Sequence, residues 1–293
     1  MDIKHTDLAL EAKKIWENTA QDTTSLPGVK ARTEDMDGYE VTTVDILDDK
    51  GSEILCKPKG KYITVELGEL IARKNGAFES GAIVLAKKLR EVLPQDENTV
   101  FLVVGLGNRN ITPDVIGPRV SEMVLATRHL VMEDGEDFPF FKNVSVISPG
   151  VLGTTGIESA DIIVSLSGKI NAGCIIAVDA LYSASLDRLC RTVQISDSGI
   201  VPGSGVGNAR SELSRGTIGI PVIGIGVPTV TSVMSAAEEL FGTQIPQGDG
   251  KADLFVTPRD IDVRSEDISK LIAYGINLAI HKGLTVSDID MLV

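Results

Sequence analysis

Cysteine is scarce: Cys56, Cys174 and Cys190 are the only three among 293 residues, and none forms a CxxC pair. That excludes a disulfide framework and fits a reducing compartment. Histidine is as rare, with His5, His129 and His281 alone, so a histidine-centred triad or a multi-histidine zinc site has few parts to use. Positive charge is short too. The 28 basic and 41 acidic residues leave a formal charge of -13, a field that repels a phosphate backbone, and no direct nucleic-acid partner is expected. No apolar run reaches the roughly 18 residues of a membrane span, and the opening MDIKHTDLAL lacks the basic-then-apolar order of a signal peptide. An unexported, cytoplasmic chain without a membrane partner is the expectation.

Familiar motifs are missing as well. There is no GxxxxGKS/T, no HExxH and no GxSxG, and the glycine loops GLGNRN at 105–110 and GSGVGN at 203–208 both fail GxGxxG at the last glycine. A dinucleotide site is disfavoured, and no cofactor is expected.

What is present is a 43% hydrophobic chain, long enough to bury roughly 75% of the surface its unfolded form exposes. From Val100 onward, short runs are apolar at every position: 100–107, 144–148, 161–166 (DIIVSL), 174–179 and 220–227. Strands buried on both faces read this way. Helical periodicity marks Pro113 to Leu130, Ser232 to Leu240 and Ser265 to Ala279. The expected fold is therefore α/β, a doubly wound, mostly parallel sheet flanked by helices. The first hundred residues alternate instead, in YEVTTVDIL at 39–47 and KYITVEL at 61–67, with the turn-forming DDKGSE and KPKGK between them. They predict a hairpin-like, β-rich elaboration at one edge, followed by a helix over 79–93.

Glycine gathers after strands, at 105–108, 149–156 and 202–207, where an open α/β sheet keeps its binding crevice. Acidic residues in those places are the candidates. Asp179 closes the apolar run CIIAV, and Asp114 follows the GLGN loop; both emerge at one rim if their strands are neighbours. Two carboxylates held close share a proton, so one serves as base and the other as acid. The plainer readings are a helix-dipole partner for Asp114 and a helix cap for Asp179. Asp197, in an Asp-Ser-Gly that matches aspartic proteases over three residues only, is a third candidate beside Ser204 and the glycine loop, or else an Asx-turn. His129 is expected to end a helix in a capping role.

Read together, TDLALEA at 6–12, VVGLGN at 103–108, TPDVIGP at 112–118, PGVLGTTGIESADII at 149–163, IIAVDAL at 175–181 and QISDSGIVPGSGVGN at 194–208 resemble one family closely: the germination proteases of spore-forming Firmicutes. The resemblance implies a homotetrameric α/β hydrolase related in fold to hydrogenase-maturation proteases. It also implies an aspartic-type endopeptidase of the spore core that degrades small acid-soluble spore proteins. On the matching motifs its two carboxylates are Asp114 and Asp179, with Asn108, Glu158, Asp197 and Ser204 supporting. It further implies a self-processing zymogen. TDLALEA carries the acidic-hydrophobic-Ala pattern of the cleavage site, so the cut falls between Asp7 and Leu8, giving a propeptide of residues 1–7 and one peptidase domain over 8–293. Two rival readings remain: the carboxylates hold a divalent cation, or the PGSGVGN loop makes a non-catalytic anion- or nucleotide-binding module.

Overall fold

A computed structural model describes residues 6–19, 26–134, 138–203, 211–242 and 254–293. Its frame is one sheet built from β1 (Val29–Met36), β2 (Tyr39–Ile46), β3 (Gly60–Glu66), β4 (Phe101–Gly105), β5 (Val144–Ile147), β6 (Cys174–Tyr182), β7 (Thr192–Ser196), β8 (Val222–Ser232) and the short β9 (Phe255–Val256). The strand order is β1-β2-β3-β7-β8-β6-β4-β5, with β9 added to β8.

The α/β reading stands, and the sheet is mixed. β8, β6, β4 and β5 run parallel to one another. From β8 outward through β7, β3, β2 and β1, every pairing is antiparallel. The β-rich start of the chain is thus an elaboration continuous with the main sheet. β1 and β7 were not anticipated. β7, TVQIS, is buried at all five positions although two of them are hydroxyl residues and one an amide, so its burial is set by its neighbours on both sides rather than by an apolar run.

The all-apolar strands have both faces covered. Phe101 and Val103 of β4, with Cys174, Ile176 and Val178 of β6, pack under the helices 77–90, 116–123 and 261–280. Leu102, Val104, Ile175 and Ala177 face the other way, towards Ile163 of the helix Ser159–Ile170. This is the pattern that parallel strands buried on two sides demand.

Three local expectations are corrected. DIIVSL at 161–166 is helical, part of Ser159–Ile170; Ser159, Ile163 and Ser167 are its buried residues, four apart, and Asn171 ends it in the left-handed conformation. DDKGSE is not a turn: Asp48 caps a helix over Asp49–Leu55 by accepting the Gly51 N–H at 2.9 Å. The helix expected over 113–130 breaks in two, Ile116–Met123 and Arg128–Asp134. Buried Asn277 causes the break, donating to the Met123 carbonyl at 3.0 Å and accepting the Leu125 N–H at 2.9 Å. His129 consequently lies in the first turn of a helix rather than its last, where it cannot serve the carbonyl end.

Candidate functional site

β4 and β6 are hydrogen-bonded parallel neighbours, with Gly105 opposite Val178. The ladder runs one residue further, Leu106 N–H donating to the Val178 carbonyl at 2.8 Å. The chain then turns at Gly107, whose φ of +109 only glycine adopts readily and whose missing Cβ leaves room for the Asp114 carbonyl. The loop closes on itself. Ile111 N–H reaches the Asn108 carbonyl at 3.1 Å, Asp114 N–H reaches the Ile111 carbonyl at 2.8 Å, and the Asn108 N–H donates to Asp114 Oδ2 at 2.7 Å. The Asp114 carboxylate, in the 3-10 turn Thr112–Asp114, is thereby aimed by its own loop.

Asp179 sits inside β6 rather than at its end, because the strand continues to Tyr182. It is paired opposite Gly226 of β8, is 4% exposed, and its Oδ1 accepts the Ala180 N–H at 2.9 Å. Asp114 and Asp179 line the same cleft, of ≈ 400 Å³, with Ile111, Pro113, Val151 and Leu181 among its apolar walls. Such walls exclude water and lower the local dielectric around any charge placed there.

A third carboxylate borders this cleft: Asp7. Its N–H donates to the Tyr182 carbonyl at 3.3 Å, its Oδ2 accepts the Tyr182 N–H at 2.9 Å, and its carbonyl accepts from Gln194 Nε2 at 3.2 Å. Gln194 Oε1 takes the Ala9 N–H at 2.8 Å, so one buried carboxamide grips the main chain on both sides of Leu8. Leu8, Ala9, Leu10 and Ala12 are buried. Glu11, 5% exposed, receives Ser183 Oγ and the Ala184 N–H, each at 3.1 Å, and the Thr6 hydroxyl. A second cleft of ≈ 220 Å³ shares Asp7 and adds Lys57, Tyr62, Gln194 and Glu212.

Of the supporting residues, Asn108 belongs to the site, through its main-chain N–H. Glu158 precedes the helix Ser159–Ile170 and holds the Asp161 N–H with its carbonyl, while its neighbour Ser159 is the one on the cleft wall. Asp197 is exposed at the end of β7, where Oδ1 accepts the Lys61 N–H at 2.7 Å. It ties β7 to β3 and does not line the cleft. Ser204 lies outside the described residues. Sequence reasoning missed Lys57, Tyr182 and Gln194; the only signal for Gln194 was an amide within a strand of otherwise β-favouring residues. Among the described residues no group of three or more His, Cys, Asp or Glu is placed to hold a metal, and no helix is long and apolar enough to cross a membrane.

Residues 4–241 match the family model described as germination protease. A germination protease of Clostridium perfringens is 39% identical, over 97% of this chain and 97% of its own length. That of Caldanaerobacter subterraneus is 37% identical, over 98% and 97%, and that of Bacillus cereus 34% identical, over 94% and 93%. Among solved structures, the NiFe hydrogenase maturation protease HycI of Thermococcus kodakarensis aligns with 64% of this chain and 98% of its own, at 18% identity and a TM-score of 0.37. With relatives at this identity matched from end to end, the chain belongs to the germination protease family.

Proposed function

We propose that the chain is an endopeptidase that begins the degradation of small acid-soluble spore proteins during germination, and that Asp114 and Asp179 are its catalytic pair. One observation carries the reading: two carboxylates from distant parts of the chain, each held by a main-chain N–H, face one largely apolar cleft. At such a site one acid is ionised and takes a proton from the attacking water. The other is neutral, polarises the scissile carbonyl, and then protonates the departing amine. The two titrate as a pair.

The same reading makes the chain a zymogen that cuts itself between Asp7 and Leu8, leaving residues 8–293 as the peptidase. The contacts of Asp7 on the wall of the cleft support it. A homotetramer in the spore cytoplasm completes the proposal, and sedimentation velocity tests the assembly.

The catalytic pair is tested by making Asp114→Asn and Asp179→Asn separately. Each is expected to lower both self-processing and the cleavage of spore protein by about a thousandfold, with the fold retained by circular dichroism. A variant that processes itself and cuts spore protein at the wild-type rate removes that residue from the mechanism. Activity that persists through exhaustive chelation separates the shared-proton reading from one in which the carboxylates hold a cation.

A further inference from the structure

Among the described residues, every donor that holds Glu11 is neutral. Its carboxylate is 5% exposed and takes the Ser183 hydroxyl at 3.1 Å, the Ala184 N–H at 3.1 Å and the Thr6 hydroxyl. A carboxylate out of water is costly without a cation beside it. Lys57 is close enough for Glu11 to act on its charge, yet burial pulls that ammonium below the usual lysine range. The acid is therefore prepared for a second positive partner.

The Thr6 hydroxyl stands between that acid and the main chain at Leu8, donating to Glu11 Oε2 and accepting the Leu8 N–H at 3.2 Å. Leu8 is 1% exposed and its carbonyl takes the Ala12 N–H at 3.0 Å, so its nitrogen sits at the entry of the helix Ala9–Thr19. Hydrolysis of the Asp7–Leu8 bond adds one water. Asp7 leaves with a new carboxyl group, whose proton passes to the Leu8 nitrogen, and the departing peptide takes Thr6 with it. An ammonium then stands one hydroxyl away from Glu11 Oε2. The new end stays there, because Gln194 Oε1 still holds the Ala9 N–H at 2.8 Å and Ala9, Leu10 and Ala12 are buried. A positive charge at a helix start opposes the dipole, and burial opposes it further. Glu11, in the first turn, supplies the opposite sign.

Resting on the self-processing reading above, we infer that the cut builds a buried ion pair between the new Leu8 α-ammonium and Glu11, which holds the mature N-terminus against Ser183 and Ala184. These two residues directly follow β6, so the strand that carries Asp179 is clamped from beyond its end by a charge that the uncut chain lacks. The pairing also keeps the new amine protonated. A protonated amine cannot attack the carboxyl group it has left, and the cut is not reversed.

The test uses the self-processed protein, its first residue established by mass, and trace labelling of its amines with acetic anhydride over a series of pH values. Labelling of the Leu8 amine, read in the N-terminal peptide, gives a titration midpoint. In the folded wild type that midpoint is expected about one pH unit or more above that of the same protein unfolded in guanidinium. In Glu11→Gln, processed by the wild-type enzyme where it does not cut itself and with its fold checked by circular dichroism, the midpoint is expected below the unfolded one. Burial and the helix start then act without the acid. A wild-type midpoint equal to or below the unfolded one overturns the inference without recourse to any variant, and leaves the self-processing reading standing. So does a raised midpoint that Glu11→Gln leaves unchanged. A processed chain that does not begin at Leu8 ends the self-processing reading and this inference with it.

Discussion

His281 is fully buried at the end of the helix 261–280, with Nδ1 accepting the Lys142 N–H at 3.1 Å and the ring meeting Phe141 edge-on at 5.5 Å. Burial, aided by the Lys142 charge, lowers its pKa to about 4 from 6.5. The folded value lies below the unfolded one, so the unfolded chain binds the extra proton between those limits. Stability from this residue is complete above pH 6.5 and is lost as the pH falls towards 4, by up to about 3 kcal/mol. Urea unfolding between pH 7.5 and 4.5 is expected to show that loss in the wild type and a much smaller one in His281→Asn; parallel curves would refute it. At this same scale the candidate site was only partly legible. Asp114 and Asp179 stood out because carboxylates beside apolar runs and glycine loops must find partners. Asp197 stood in an equally suggestive context, and its carboxylate went to the Lys61 N–H instead. Lys57 and Gln194 carried no signal, since an isolated lysine or glutamine acquires meaning only from what lies across from it.

The helix Ile116–Met123 that follows Asp114 crosses the ends of β4 and β6 so closely that no side chain fits beneath it at Gly117. A Cβ on Gly117 would run into the Leu106 main chain and, at 2.5 Å, the Val178 carbonyl. These are backbone atoms and cannot swing aside. Gly117→Ala is therefore expected to destabilise by about 3 kcal/mol or more, at the severe end of overpacking. Gly168, in the last turn of the helix 159–170, has nothing within 4 Å, and Gly168→Ala is expected to stabilise by about 0.5 kcal/mol, less than the full helix-interior difference. Chemical denaturation of the two variants side by side checks both signs. Elements were read well where length settled the period, as in the helix 261–280, and badly where it did not. DIIVSL is six residues long, too short for an apolar run to tell a buried strand from one face of a helix. The break after Met123 was invisible because its cause, Asn277, is far away along the chain.

For the molecule as a whole, the segment around residues 6–12 belongs to both core and cleft. Leu8 and Leu10 are 1% and 6% exposed, and each contributes about 2 kcal/mol by burial. A chain starting at Leu8 is expected to keep nearly all of the stability, losing only the contacts of Thr6 and Asp7. A chain starting at Lys13 is expected to lose several kcal/mol, read as a large drop in thermal midpoint. Equal midpoints for the two would show that the segment is not part of the core. The amino-acid order by itself determined the α/β class, the parallel strands β4, β5, β6 and β8, and the β-rich start, and it singled out Asp114 and Asp179 as candidates, because doubly buried strands must be apolar throughout and loops at their ends must turn sharply. Only the tertiary structure decided that the sheet is mixed, that β7 is a central strand, and that Asp7 borders the cleft of Asp114 and Asp179 while Gln194 and Lys57 line a second cleft with it. Those outcomes depend on pairings between distant segments, and neither local propensity nor periodicity carries information about a partner more than a hundred residues away.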